Sequence, residues 1–156
     1  MAGRGEKRSA ARLAAVQALY QMEISGKSVG DAMAEFQAYW IGREVDDIAF
    51  RPAEEEFFRT LVQGVVDQQV PIDQKVDAAL AKGWPLKRVE AVLRAILRSA
   101  TYELLRLKDV PAKVVISEYV DLTRDFYDGE EVGMVNAVLD SIGRDLRASE
   151  LSKRVG

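Results

Sequence analysis

Apolar positions in this chain recur at the spacing of a helical face, and no stretch alternates at period two. The strongest pattern runs from Leu86 to Leu107. Leu86, Val89, Leu93, Ile96, Leu97, Ala100, Leu104 and Leu107 form one broad stripe, with Lys87, Arg88, Arg94 and Arg98 opposite. Such a helix buries one side and acts as the spine of a helical domain. Asp109-Val110-Pro111 breaks it, because proline cannot extend a helix but fits the first turn of the next. Ala112, Val115, Ile116, Tyr119, Leu122 and Phe126 then predict a second amphipathic helix. The connection is short, so the two should pair as an antiparallel hairpin.

The same reading places five further helices. The first runs from Lys7, after an arm over residues 1–6, to the stop at Ser25-Gly26, with Leu13, Val16, Leu19 and Tyr20 inward. Ser28 caps a second, with Val29, Met33, Phe36 and Trp40 inward. Pro52 opens a third, carrying Phe57, Phe58, Leu61, Val62, Val65 and Val66, after a loop over 41–52. Val70-Pro71 opens a fourth, with Ile72, Val76, Ala79 and Leu80 buried, and Gly83-Trp84-Pro85 punctuates it. A last helix starts near Glu130, with Val135, Val138, Leu139, Ile142 and Leu146 inward, and frays from Arg144. The expected fold class is all-α, with about seven helices.

Two carboxylates border this pattern. Glu103 lies against the first stripe of the hairpin and Glu118 on the rim of the second. A carboxylate at a core needs a partner. A salt bridge or cap fits better than a catalytic acid, because no second catalytic group is placed nearby.

Composition removes most chemistry. The 156 residues contain no cysteine and no histidine, which excludes disulfides, thiolate chemistry, the usual zinc sites and a histidine base. No apolar run approaches the roughly 20 residues of a membrane span, and the N-terminus is too polar for a signal peptide, so a cytoplasmic protein is expected. No cofactor motif is present. The net charge of −3 does not mark a nucleic-acid binder, but its distribution is uneven. Arg4, Lys7, Arg8 and Arg12 outweigh Glu6 by +3 over residues 1–12, and Arg8 and Arg12 share a helix edge at i, i+4. Residues 44–56 carry six acids against Arg51, a solvated segment.

In order along the chain, several motifs resemble those of one family. They are Arg8 and Arg12 before Ala15-Val16-Gln17-Ala18-Leu19-Tyr20, then Leu97-Arg98 and Tyr102-Glu103-Leu104. Asp109-Val110-Pro111 with Lys113-Val114, Ile116, Glu118 and Leu122 comes next, and Val135-Asn136-Ala137-Val138-Leu139-Asp140 closes the set. Together they are similar to NusB, the bacterial transcription antitermination family. The resemblance implies a single NusB-like RNA-binding domain over 1–156, built as two small packed helical subdomains at about 7–82 and 85–148. It implies binding of boxA-type leader RNA together with NusE, a small-subunit ribosomal protein, in an RNA polymerase antitermination complex serving ribosomal RNA operons. It implies no catalysis and no membrane, and it leaves a homodimer open.

Carried over residue by residue, the arginine-rich start maps onto Arg8 and Arg12, with Arg4 and Lys7 compensating for Ser9 and Ala10, where relatives carry arginines. Cationic side chains there neutralise phosphates. A second RNA-facing segment maps near Glu130 and Met134, where Gly133-Met134 replaces the Lys-Phe common in relatives. Tyr127 could supply the missing ring, although a turn-packing role suits it better. Tyr20 maps to the NusE face while also falling on the core stripe, and Glu90 is a weak substitute for an acid on that face, where Leu93 is aligned. Arg98 suits a partner or an acid of the other subdomain, and Asn136 suits a buried bond to a loop backbone. The competing readings are a helical interaction module and a detached RNA-binding domain of a ribosomal RNA cytosine methyltransferase. The latter needs a catalytic cysteine and an α/β domain that this chain lacks.

Overall fold

The computed structural model describes the backbone of residues 4–41, 44–45, 48–49, 52–80 and 89–151, and the side chains of 8–38, 54–80 and 89–151. Among the described residues there are eight helices and one two-stranded hairpin, and the architecture is all-α. The chain divides into two compact units, Met1–Asp67 and Gln68–Gly156.

The first unit packs α1 (Arg4–Ser25), α2 (Val29–Ile41) and α3 (Pro52–Asp67) against one another. Helix α1 already includes Arg4–Glu6, which the sequence assigned to an arm. It stops where glycine can turn: Gly26 has φ 73° and its N–H returns to the Met22 carbonyl. Ser28 Oγ accepts the Asp31 N–H and caps α2 as expected. The core is tightened by alanine. Ala11, Ala14, Ala15, Ala18 and Ala32 are buried beside Val16, Phe58, Leu61, Val62 and Val65. Phe36 stacks on Phe58 at 5.7 Å between ring centroids. Where a loop was expected, Glu44–Val45 (β1) and Ile48–Ala49 (β2) pair antiparallel. Two residues per strand are too few to show a period in sequence.

The second unit contains α4 (Gln69–Ala79), α5 (Ala91–Arg106), α6 (Ala112–Arg124), α7 (Glu130–Leu146) and α8 (Ala148–Leu151). The division therefore falls after Asp67, not near 82–85, and α4 changes sides. The reason is packing: Ile72 and Val76 are fully buried, and α4 lies on α5 and α7. The Arg98 guanidinium holds the Asp73 carboxylate at 2.8 and 3.0 Å, a bidentate pair inside this unit. Helix α5 starts at Ala91; Leu86–Arg88, Trp84 and Trp40 lie outside the described side chains. Helix α6 ends at Arg124, so Phe126 leaves the buried stripe and is 40% exposed, contrary to expectation.

Glu103 is fully buried and structural. Tyr119 donates its hydroxyl hydrogen to Glu103 Oε2 at 2.5 Å, and Ser99 Oγ lies 2.7 Å from that hydroxyl. The polar chain joins α5 to α6 through their apolar seam.

The expected fraying from Arg144 is corrected. Helix α7 continues to Leu146, and Arg147, 3% exposed, anchors the start of α8. Its guanidinium donates to the carbonyls of Glu103, Leu104, Leu107 and Val110 and to Glu150 Oε2. The first three carbonyls end α5, at the negative end of the helix dipole; those of Glu103 and Leu107 accept a backbone N–H as well. Glu150 in turn accepts the Ala112 N–H at the start of α6. That N–H and the Arg147 guanidinium hold the Glu150 carboxyl below its ordinary range. Leu151 fills the space beside Gly143, where an added Cβ would come within 2.8 Å of Leu151 Cδ1. Burying one leucine stabilises by about 2 kcal/mol, whereas ordering four residues costs about 1–2 kcal/mol each. The hydrogen bonds of Arg147 and Glu150 are what tip α8 into order.

Candidate nucleic-acid interface

The basic edge expected on α1 exists, and it is shared with α3. Arg8 and Arg12 stand one turn apart, so both guanidiniums reach the same neighbour. That neighbour is Phe57, delivered by α3 after Pro52 sets the helix start. The Arg8 guanidinium carbon lies 4.8 Å from the ring centroid and that of Arg12 5.2 Å. Their surroundings differ. Arg8 is half-buried, whereas Arg12 is 2% exposed. Among the described residues the Arg8 side chain has no hydrogen-bond acceptor or acidic partner, so its N–H groups remain available to a ligand. Arg12 is part of the packing, not a solvent-facing phosphate contact as the sequence suggested. Arg4 and Lys7 lie on α1 on the same basic stretch, and their side chains fall outside the described residues.

Glu54 lies one turn before Phe57 and Phe58 on α3. It is 6% exposed, and its Oε1 has no hydrogen-bond partner among the described residues. Buried carboxylates favour nearby cations. The sequence places it in an acidic segment read as solvated, and its burial corrects that reading at this position.

Tyr20 is half-buried on α1, which suits the expected double role of inward ring and accessible hydroxyl. In the second unit, Glu90 is exposed at the N-cap position of α5 but makes no side-chain capping bond. Glu130 is exposed in the first turn of α7, where a negative charge is favoured by the helix dipole alone. Met134 is half-buried on α7, and Gly133 is exposed with nothing within 4 Å of an added Cβ.

Asn136 is exposed, which overturns the buried backbone-bonding role expected for it. It opens onto a groove of about 820 Å³ between α6 and α7, floored by Ile116, Val120 and Leu151. Its charged rim residues Arg124 and Arg144 are tied to Asp121 and Asp140 on their own helices. No group of three or more potential metal ligands occurs among the described residues. No described helix is long and apolar enough to cross a membrane.

Residues 9–144 match the model of the NusB family. The transcription antitermination protein NusB of Bradyrhizobium diazoefficiens is 56% identical over 150 residues, covering 96% of this chain and 91% of that protein. Among solved structures, NusB of T. maritima superposes with a TM-score of 0.78 at 27% identity, covering 93% of this chain and 96% of that one. A chain from the crystal structure of the antitermination factors NusB and NusE in complex with dsRNA gives 0.74 at 26% identity, covering 90% and 98%. Motifs, helix order and similarity over almost the whole length agree, and the chain belongs to the NusB family.

Proposed function

We propose that this chain is a transcription antitermination factor that binds boxA-type leader RNA together with NusE and joins an antitermination complex on RNA polymerase, supporting ribosomal RNA transcription. The observation that carries the RNA contact is Arg8, whose guanidinium is held on the Phe57 ring with no N–H committed among the described residues. Arg4 and Lys7 extend the same basic helix start, and Arg12 supports it from within. Cations on one edge neutralise successive phosphates and release counterions, so affinity falls with salt. Tyr20 and Glu90 supply the NusE contact, and Glu130 and Met134 border a second RNA contact, with Glu130 weakening affinity through like charge. The relative solved with NusE and dsRNA supports both partners. The role is one of binding, in the cytoplasm, without catalysis.

The test is a fluorescence anisotropy titration of labelled boxA RNA, single-stranded and as a duplex, with and without NusE, at two salt concentrations. NusE is expected to tighten binding, and salt to weaken it. If NusE brings no gain for either form of RNA, the proposal fails.

A further inference from the structure

We infer that Phe57 is a positioning residue for RNA binding: its ring fixes the Arg8 guanidinium in place before the RNA arrives. The inference rests on the reading of Arg8 as a phosphate contact. Three observations carry it. The first is geometric. The Arg8 guanidinium carbon sits 4.8 Å from the Phe57 centroid, within the range where the negative face of an aromatic ring attracts a cation. The second is what that attraction leaves untouched. A ring face takes no N–H from the guanidinium, so all its in-plane donors stay open to a phosphate, whereas a carboxylate partner would occupy two of them. The third is Arg12. It is 2% exposed and its guanidinium carbon lies 5.2 Å from the same centroid, so one ring attracts two cations, one of them buried.

The arrangement resolves a conflict. Like charges at i, i+4 repel by a few tenths of a kcal/mol and would splay the two side chains. The ring attracts both and restores their proximity. A flexible arginine loses rotamer entropy when it grips a ligand, and one already held has less to lose. Phe57 therefore contributes to RNA affinity without touching RNA.

A double-mutant cycle tests this, using the full chain with NusE and labelled boxA RNA. Phe57→Leu is expected to weaken RNA binding about two- to fivefold, the size of an exposed cation–π contact. In an Arg8→Ala background the same change is expected to have almost no further effect. Phe57→Tyr retains the ring face and should restore affinity. Should Phe57→Leu fold poorly, fluorinated phenylalanines at position 57 keep the shape while draining the ring of negative charge. Affinity should then fall stepwise with fluorine number. Additive effects of Phe57→Leu and Arg8→Ala, or affinity indifferent to fluorination, would overturn the inference. If Arg8→Ala alone leaves binding unchanged, it is the phosphate reading of Arg8 that falls.

Discussion

The two units hold arginine in opposite ways. Arg147 in the second unit is saturated: four carbonyls and one carboxylate take up its donors, and it is 3% exposed. Arg8 in the first unit is held instead on an aromatic face, with no acceptor among the described residues. A guanidinium whose N–H groups are all spent on its own backbone is a structural clamp. One held by a ring keeps its capacity for outside acceptors. The number of internal acceptors, more than burial or charge, separates the architectural arginine from the ligand-facing one.

The largest effect should come from Arg147→Met. It strips the guanidinium from four carbonyls, of which those of Leu104 and Val110 lose a buried donor that no loop N–H replaces, a loss of about 3 kcal/mol at the rate of unsatisfied buried acceptors. Chemical denaturation should show it. Retention of wild-type stability would mean that the carbonyls are hydrated and that no clamp exists. Next comes Glu103→Ala, which leaves the Tyr119 hydroxyl without its buried acceptor and should cost roughly 1–3 kcal/mol. An unshifted melting temperature would contradict the burial of that carboxylate.

Arg8 and Arg12 sharpen the contrast within one helix edge. Arg12→Ala should destabilise by about 1–2 kcal/mol, through lost packing on Phe57. Arg8→Ala should stay within about 0.5 kcal/mol in stability while lowering RNA affinity and the salt slope by about one unit. Equal melting curves for the two variants would dissolve the distinction between them.

The smallest effect concerns Glu150. Its carboxyl is held low by the Ala112 N–H and then by Arg147, so the folded state favours the ionised form. That stability is present above the ordinary carboxylate value of 4.5 and is lost as pH falls through the lower folded value. Glu150→Gln should therefore flatten the acid limb of a stability–pH curve and change little near neutrality. An unaltered acid limb would show that the carboxyl does not couple to folding.

Most helices were legible because their stripes are long and clean. Val135, Val138, Leu139 and Ile142 on α7 repeat at helical spacing, and all are buried. The places that resisted share one cause: their structure depends on partners far away in sequence. Arg147 reads as a polar residue in a fading helix, since its carbonyl acceptors lie about 40 residues earlier. Leu151 is a lone apolar residue without a period. Helix α4 was assigned by the punctuation at Gly83-Trp84-Pro85, whereas its packing on α5 and α7 decided its unit. At the candidate site the basic edge was visible as composition, and the residue types were right. That Arg12 is buried and that Arg8 lies on an aromatic ring both depend on α3, distant in sequence, which no local pattern announces.

The position of Arg147 has a consequence for synthesis. Chains emerge from the ribosome N-terminus first, and domains fold as they emerge. The first unit holds all its own helices by Asp67, so it can consolidate early. In the second, the end of α5 waits for a donor made some 40 residues later, and Leu151 must arrive before the gap beside Gly143 closes. Until then the Leu104 and Val110 carbonyls at the turn between α5 and α6 lack their guanidinium donor. The growing polypeptide should thus pass through a stage in which one half is finished and the other is still unlatched.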